Sequence, residues 1–220
     1  MQLTDLQTNI LQEAEAFITD YYRNECSGHD VHHSLRVART ARALAEKEGA
    51  DPFAATLAAL LHDVDDRKLS PKTWQSKSIA RGFMERQGIG PELQALVVDI
   101  ISTMSFSGTG ASVPASPEGR CVQDADRLDA IGAIGIGRAF AYGGSHNRAM
   151  YDPADKPQRY ADADAYYSTN STTINHFYEK LLKLEHLMNT DTARQIARQR
   201  TAFMEDFLRQ FYAEWDYTPE

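Results

Sequence analysis

The sequence predicts an all-α protein, on two observations. Apolar residues recur three and four positions apart along most of the chain, without the strict alternation of a half-buried strand. Gly and Pro stand at the ends of several of these segments, where helices start and stop. With 220 residues, of which 42% are hydrophobic, the chain can bury a full core. We therefore predict one compact helical domain over residues 1–220, with a core at about 28–142 and C-terminal helices at 171–215 packed on it.

Five helices are predicted in the first half of the chain. An amphipathic helix opens it, with an apolar stripe running from Leu3 to Ile18. Gly and Pro separate the helices that follow, because Gly suits a helix C-terminus and Pro suits the first helical turn. These helices run from Val31 to Glu48 before Gly49, from the Asp51-Pro52 cap to about Asp63, from Lys77 to Gln87 before Gly88, and from Gly90-Pro91-Glu92 to Ile101.

The second half of the chain alternates long loops with helices. Residues 105–119 are rich in Gly, Ser and Pro and predict a loop, followed by one long helix from about Arg120 to Tyr142. Residues 143–169 contain Gly-Gly, Asp-Pro and Lys-Pro pairs and have the length of a lid or pocket wall. Helical periodicity returns at 171–185 and 191–215. The apolar face of the last helix fits either the core or a partner, so the oligomeric state stays open.

Three glycines in the long helix resemble a dinucleotide-binding fingerprint. Gly132, Gly135 and Gly137 nevertheless lie in a helical run with no strand before them, and in the wrong order. We assign them to close packing between helices.

Charge and cysteine content exclude several classes of protein. Thirty-one acidic and 23 basic residues give a net charge of −8, which argues against a nucleic-acid polymer as partner, because such proteins cluster Lys and Arg. Cys26 and Cys121 lie in no metal-binding spacing. No segment approaches the ~18 apolar residues of a membrane span, and the N-terminus lacks the pattern of a secretion signal. We expect a cytoplasmic protein with no membrane partner.

Three motifs carry the candidate metal ligands. They are GHDVHHSLRV with His33, LLHDVDD with His62 and Asp63, and QDADRLDA with Asp126. Each motif lies in a predicted helix, so the two imidazoles and two carboxylates would converge from three helices. Such a mixed nitrogen and oxygen set suits one divalent ion, Mn²⁺, Fe²⁺, Co²⁺, Ni²⁺ or Mg²⁺, with coordination positions left for water and substrate.

Each motif also has a structural alternative. His33 shares a helical face with Val37 and Leu44, so it points inward either as a ligand or as an ordinary buried histidine. The pair His62-Asp63 is more informative, because burying a carboxylate without a cation is costly.

The third motif holds three aspartates, Asp124, Asp126 and Asp129. They either attract a metal ion or form salt bridges with Arg120 and Arg127, and for Asp124 we favour the salt bridge.

The order of these motifs resembles the HD-domain metal-dependent phosphohydrolase superfamily, especially its small stand-alone bacterial hydrolases, over nearly the whole chain. The resemblance implies a helical HD fold with the metal site between core helices. It also implies that Asp126, which follows Ala and precedes Arg-Leu, is the metal-binding aspartate. One position departs from the pattern, since Met104 stands where many relatives have histidine. A thioether neither protonates a leaving group nor binds a hard cation well, which argues against a second metal or a histidine-assisted step.

The residues around the HD pair supply candidates for catalysis. Asp66 stands three residues after Asp63, one turn along the predicted helix, where it could act as base or acid, and related guanosine polyphosphate hydrolases carry an acid at the matching position. Asp65 is rotated away and is expected to be solvated. Arg36, one turn after His33, could bind phosphate or orient an aspartate, and Lys68 could contact phosphate.

Further basic residues lie in and around the second long loop. Arg138, Arg148, Lys156 and Arg159 could line a phosphate pocket or serve solubility. His176, Lys180 and Lys183, in HFYEKLLKL, resemble a basic segment of the same HD subgroup, and a solvated helix face is the alternative.

The predicted function is metal-dependent hydrolysis of a phosphoester or phosphoanhydride in a small phosphorylated metabolite, with a nucleotide favoured. A second hypothesis, supported by Met104, is a metal-containing nucleotide-binding module without turnover. A third is a structural metal in a helical interaction protein.

Overall fold

The structure is a computed structural model and describes residues 2–23, 31–66, 70–104, 112–158 and 171–216. The all-α prediction is confirmed, since the described residues contain nine α-helices, one 3-10 helix and no strand. The helices are α1 Asp5–Tyr21, α2 Val31–Glu48, α3 Pro52–Leu61, α4 Ser78–Arg86, α5 Pro91–Thr103, α6 Pro117–Asp129, α7 Gly132–Ser145, α8 Thr173–Glu179, the 3-10 helix Leu181–Leu187 and α9 Asp191–Trp215.

The chain divides into two compact units, Met1–Asp126 and Arg127–Glu220. The single domain over residues 1–220 therefore stays a prediction. None of the helices in the described ranges is both long enough and apolar enough to cross a lipid bilayer.

Helix α3 forms the centre of the first unit. Its sequence, PFAATLAALL, carries no charge, and all of its residues are buried. A helix that is apolar on every side must be covered on every side, and α1, α2 and α5 all pack against it. Asp51 caps its start by accepting a hydrogen bond from Phe53 N at 2.8 Å, as the sequence predicts.

Helix α3 ends at Leu61, and residues 62–65 form turns. The prediction that Asp66 lies one α-helical turn beyond Asp63 is therefore wrong. Asp66 N instead donates to Asp63 O at 3.0 Å in a tighter turn. The Val64 carbonyl oxygen accepts hydrogen bonds from the Tyr21 hydroxyl at 2.9 Å and from the Ser70 hydroxyl at 3.0 Å. These side-chain donors take the place of the backbone N–H that would bond to this oxygen if the helix continued.

The expectation of a solvated Asp65 is also wrong, because its side chain is fully buried. Its two carboxylate oxygens accept hydrogen bonds from Ile79 N at 3.3 Å and Ala80 N at 2.9 Å, at the start of α4. Lys77, the residue before α4, has a left-handed backbone with φ of 52° and no capping bond of its own. Asp65 thus caps α4 from a distant turn.

The predicted long helix from Arg120 to Tyr142 is broken in the structure. Helix α6 ends at Asp129, Ile131 is extended, and α7 begins at Gly132 with φ of +77°. Only glycine adopts this φ readily. A Cβ at Gly135 would lie 2.3 Å from Ala130 O, so the chain turns back on itself too tightly for a side chain there.

The remaining helices of the second unit surround an aromatic cluster. The rings of Phe140, Phe177 and Phe207 lie 5.9 to 6.2 Å apart, joining α7, α8 and α9. The predicted helix at 171–185 is divided at Lys180 into α8 and the 3-10 helix. The expected helix at 191–215 agrees with α9.

Candidate metal centre

His33 lies near the start of α2, on the buried face that the sequence predicts. It is 2% exposed, and Val37 and Leu44 lie buried on the same helix. The apolar neighbours fix the direction of the imidazole toward the interior of the first unit.

His62 follows directly after α3. Its Nδ1 lies 2.7 Å from the carbonyl oxygen of Ala59. A carbonyl only accepts, so Nδ1 must donate, and the neutral ring then presents a lone pair at Nε2. This arrangement selects the tautomer that can bind a metal through Nε2.

The two histidines and Asp63 converge on one point. Asp63 Oδ2 lies 3.2 Å from His62 Nε2 and 3.6 Å from His33 Nε2. The imidazole rings lie 5.2 Å apart, and one potential ligand atom from each of the three residues falls within 4.8 Å of the others. Donor atoms at these separations can surround a single ion without a large movement.

Asp126, on α6, joins this group through His33. Its Oδ1 lies 3.4 Å from His33 Nε2, and its side chain is 38% exposed. All four predicted metal ligands therefore belong to one neighbourhood of the first unit. Asp129 points to a different partner, because its carboxylate binds Arg138 at 2.7 Å.

The charges in this group stabilise one another. Burial works against a charged His62, but the carboxylates of Asp63 and Asp126 outweigh it and raise the pKa of His62 to about 9. Burial likewise opposes the charged form of Asp126, and the nearby imidazoles of His33 and His62 overcome it and hold the pKa of that carboxyl below its ordinary value. A cation at this position is thus favoured by the surrounding carboxylates.

The buried Nε2 of His62 tests whether a metal ion fits. Among the described residues this atom has no hydrogen-bond partner, although Asp63 Oδ2 lies 3.2 Å away. A buried nitrogen without a partner costs free energy, which a metal ion bound to its lone pair would recover. Two imidazoles and two carboxylates are a donor set for a first-row divalent metal or Mg²⁺, so the residues present fit such an ion.

Two of the three predicted catalytic residues, Asp66 and Arg36, lie in the part of the chain that the structure describes. Asp66 follows the turn after Asp63 and is half-buried. Arg36 is half-buried on α2, three residues after His33. Lys68 lies outside the described residues. Arg36 thus shares α2 with His33, and Asp66 shares the segment after α3 with His62 and Asp63.

Sequence reasoning did not single out Tyr22, which lies at the end of α1. Burial raises the pKa of the Tyr22 phenol, and the carboxylates of Asp63 and Asp66 raise it further, so both lie within electrostatic reach of this hydroxyl. No local pattern identifies Tyr22, because its position beside Asp63 depends on how α1 packs.

Comparison with known proteins places this geometry in a family. The model of the HD domain matches residues 30–131, a range that includes all four candidate ligands. A protein from Lactobacillus plantarum has a crystal structure with a TM-score of 0.83 and 42% sequence identity, covering 98% of this chain and 100% of that one.

Two further crystal structures are similar. One, described as an HD-superfamily hydrolase from Bacillus thuringiensis, is 40% identical, with a TM-score of 0.75 over 96% of this chain and 98% of that one. The other is YpgQ of Bacillus subtilis in complex with ADP, 38% identical, with a TM-score of 0.75 over 93% of this chain and 97% of that one.

Proposed function

Because the chain belongs to the HD superfamily, we propose that it is a metal-dependent phosphohydrolase acting on a small phosphorylated metabolite, with a nucleotide as the favoured class. The reaction would cleave a phosphoester or phosphoanhydride bond. The observation that carries the proposal is the buried Nε2 of His62, which has no hydrogen-bond partner among the described residues and faces the Asp63 carboxylate.

In this proposal His33, His62, Asp63 and Asp126 hold one divalent ion, Mn²⁺, Fe²⁺, Co²⁺, Ni²⁺ or Mg²⁺. When bound, such an ion supplies Lewis-acid stabilisation of charge on a phosphoryl group and lowers the pKa of water. The Ala59 carbonyl accepts a hydrogen bond from His62 Nδ1 and so keeps this nitrogen protonated. Nε2 is then left as the nitrogen that can bind the metal ion.

Asp66 would act as general base or acid. Asp66 follows the turn after Asp63, and both carboxylates raise the pKa of the same Tyr22 hydroxyl, which supports this role. A carboxylate so placed could take a proton from the attacking water and return it to the leaving oxygen. Arg36 would orient the phosphoryl group through its guanidinium, and Lys68 would add a second positive charge.

The preference for a nucleotide has two sources of support. YpgQ, which is 38% identical to this chain, was crystallised with ADP. The net charge of −8 would repel a nucleic-acid polymer. A small nucleotide needs only a local basic site, so the overall charge does not oppose its binding.

The test is release of phosphate or pyrophosphate from nucleoside mono-, di- and triphosphates, each with Mn²⁺, Co²⁺, Ni²⁺ or Mg²⁺. We expect ion-dependent release by the native protein and background release by Asp63→Ala. The matched control is Asp99→Ala, which removes an exposed aspartate of α5 and should leave the rate unchanged. Equal rates for native protein and Asp63→Ala would reject the proposed site.

The second candidate function is a nucleotide-binding module without turnover. Met104 favours it, because this buried thioether stands where a histidine would offer a proton donor or a further ligand. Tight binding of ADP with no product from any substrate would support this alternative and overturn the enzyme.

A further inference from the structure

Residues 63–66 connect the candidate ligand Asp63 to the proposed base or acid Asp66, and we call this stretch the ligand segment. Helix α3 ends before it, so its backbone carbonyls need other donors. Asp66 N donates to Asp63 O at 3.0 Å, and Ser70 N donates to Asp66 O at 2.7 Å. Lys77 Nζ donates to Asp65 O at 3.3 Å. Three carbonyls of the ligand segment are thus bonded, two of them by donors outside it.

The remaining carbonyl, that of Val64, belongs to a group of three oxygen atoms. The Tyr21 hydroxyl lies 2.9 Å from Val64 O and 2.6 Å from Ser70 Oγ. Ser70 Oγ lies 3.0 Å from Val64 O, so all three separations are hydrogen-bond distances. Val64 and Ser70 are buried. Tyr21, the last residue of α1, is thereby joined to the ligand segment.

The hydroxyls of Tyr21 and Ser70, which we call the hydroxyl pair, share the task of donating to Val64 O. The carbonyl only accepts, whereas each hydroxyl can donate one proton and can also accept. When one hydroxyl donates to Val64 O, the other can donate to the first, across the 2.6 Å contact. Either hydroxyl can therefore satisfy the carbonyl. Only the loss of both would leave this buried oxygen without a donor among the described residues.

We propose that Tyr21 and Ser70 are positioning residues that hold Asp66 at a fixed place relative to the metal ligand Asp63. Ser70 is bonded to the ligand segment twice, through its hydroxyl to Val64 O and through its backbone N to Asp66 O. The hydroxyl pair therefore fixes the backbone between the ligand and the proposed base. Small displacements of such a group lower the rate steeply, because it must stay within hydrogen-bond reach of the proton that it transfers.

This inference rests on the proposed function for the role of Asp66, whereas the hydroxyl pair rests on its own hydrogen bonds. Three of the four candidate donors have supports that do not depend on the pair. His62 Nδ1 bonds to the Ala59 carbonyl in α3, His33 lies on the buried face of α2, and Asp126 lies on α6. Loss of the pair should therefore displace Asp66 and lower kcat, while metal content and KM stay near their native values.

The first measurement is amide hydrogen exchange by NMR, on the metal-free full chain without substrate. It compares the native protein with Tyr21→Phe, Ser70→Ala and the double variant. The amides of Asp66 and Ser70 report on the two backbone bonds of this region. We expect small changes in each single variant, because one donor to Val64 O remains. In the double variant both amides should exchange about tenfold faster or more.

The second measurement is steady-state kinetics of the same four metal-loaded proteins. Each single variant should lose about threefold in kcat or less. The double variant should lose about tenfold more than the product of the single effects, since the two hydroxyls replace each other at one carbonyl. KM and metal content should stay within about twofold of native. Circular dichroism at the assay temperature checks that every variant is folded.

The matched control is the pair Tyr142→Phe and Ser76→Ala, alone and combined. The Tyr142 hydroxyl makes no hydrogen bond within the described ranges, and Ser76 is exposed, with its hydroxyl bonded to Thr73 O at 3.2 Å. These variants should match the native protein in both measurements. Tyr21→Phe/Ser70→Thr returns a hydroxyl to the pair and should recover most of the rate that the double variant loses.

Native exchange rates at both amides in the double variant would overturn the proposal. Single effects that simply multiply would overturn it as well, because the hydroxyls would then not share one acceptor. A loss of metal content parallel to the loss of kcat would assign the pair to general stability, which also rejects a positioning role. Failure of the proposed function looks different, since the native protein would then show no turnover with any ion while the exchange measurement still decides whether the pair holds the ligand segment.

Discussion

His33 Nε2 lies 3.4 Å from Asp126 Oδ1, and this contact joins α2 to the end of the first unit. The same imidazole nitrogen lies 3.6 Å from Asp63 Oδ2. One histidine thus contacts two carboxylates that lie far apart in the sequence. These two negative charges can be neutralised either by protonated histidines or by a bound cation.

His62→Ala should abolish metal binding. The variant loses the Nε2 that faces Asp63, and a metal site generally loses most of its affinity with one ligand. Metal content by elemental analysis should fall to background, and EDTA should lower the Tm of the native protein but not of the variant. His146→Ala, which removes an exposed histidine, should keep its metal. If EDTA unfolds the native protein and nucleotides have no effect on it, the metal is structural.

Asp66→Asn should retain the metal and lose turnover. The amide preserves the shape of the side chain but cannot accept a proton, so kcat should fall on the order of 10²–10⁴-fold. Steady-state rates with a metal-loaded variant measure this, beside Asp99→Asn as the exposed aspartate control. A native kcat in Asp66→Asn would remove this residue from the mechanism.

Asp65→Ala should destabilise the first unit without touching the metal donors. It deprives Ile79 N and Ala80 N of their acceptor at the start of α4. The helix loses its cap, and the backbone N–H groups of Ile79 and Ala80 are left without an acceptor. The free energy of unfolding should therefore fall by about 1–3 kcal/mol. Urea unfolding is the measurement, and Glu85→Ala, at an exposed position of α4, should change it little. An unfolding midpoint equal to that of the control would show that these hydrogen bonds contribute nothing.

Two glycines of α7 should respond in opposite directions to alanine. At Gly135 a Cβ would lie 2.3 Å from Ala130 O, so Gly135→Ala must displace backbone and should destabilise the protein by about 1–3 kcal/mol. At Gly137 nothing lies within 4 Å of the new Cβ, and alanine there should stabilise the helix by roughly 0.5–1 kcal/mol. Thermal unfolding of both variants compares them directly. Equal losses of thermal stability in the two variants would mean that the backbone at Ala130 moves away from the new Cβ at little cost.

His176 should make the second unit sensitive to mild acid. In the folded chain its pKa is about 3, whereas in the unfolded chain it titrates near 6.5, so the unfolded state binds the extra proton between these values. Stability is therefore complete above about pH 7 and falls as pH drops from 6.5 toward 3, by at most about 1.4 kcal/mol per pH unit. Because the side chain is only half-buried, solvent screening limits the pKa shift and therefore the total loss of stability.

His176→Gln provides the comparison, since glutamine does not titrate. Urea unfolding at pH 7.5 and pH 5.0 should show a smaller loss of stability in the variant than in the native protein. Parallel losses in both proteins would mean that other groups account for the pH dependence.

The sequence alone determined the helical class and the kinds of donor in the metal centre. Helical periodicity is a local property, and it places His33 on the face of Val37 and Leu44 that the structure buries. The residue types also determine the donor atoms, which are a nitrogen for His62 and oxygens for Asp63 and Asp126. Their convergence was predicted from the placement of the three motifs in three helices, and the structure brings His33 within 4 Å of the carboxylates of Asp63 and Asp126.

Only the tertiary structure decided where helices stop and which polar groups are used. Local periodicity continued through Asp129 and Ile131, but the close approach of Gly135 to Ala130 breaks the helix there. Asp65 looked solvated because its partner, Ala80 N, belongs to another helix. Hydrogen bonds and charges act through space, so contacts between distant residues override a periodicity that is set by neighbours along the chain.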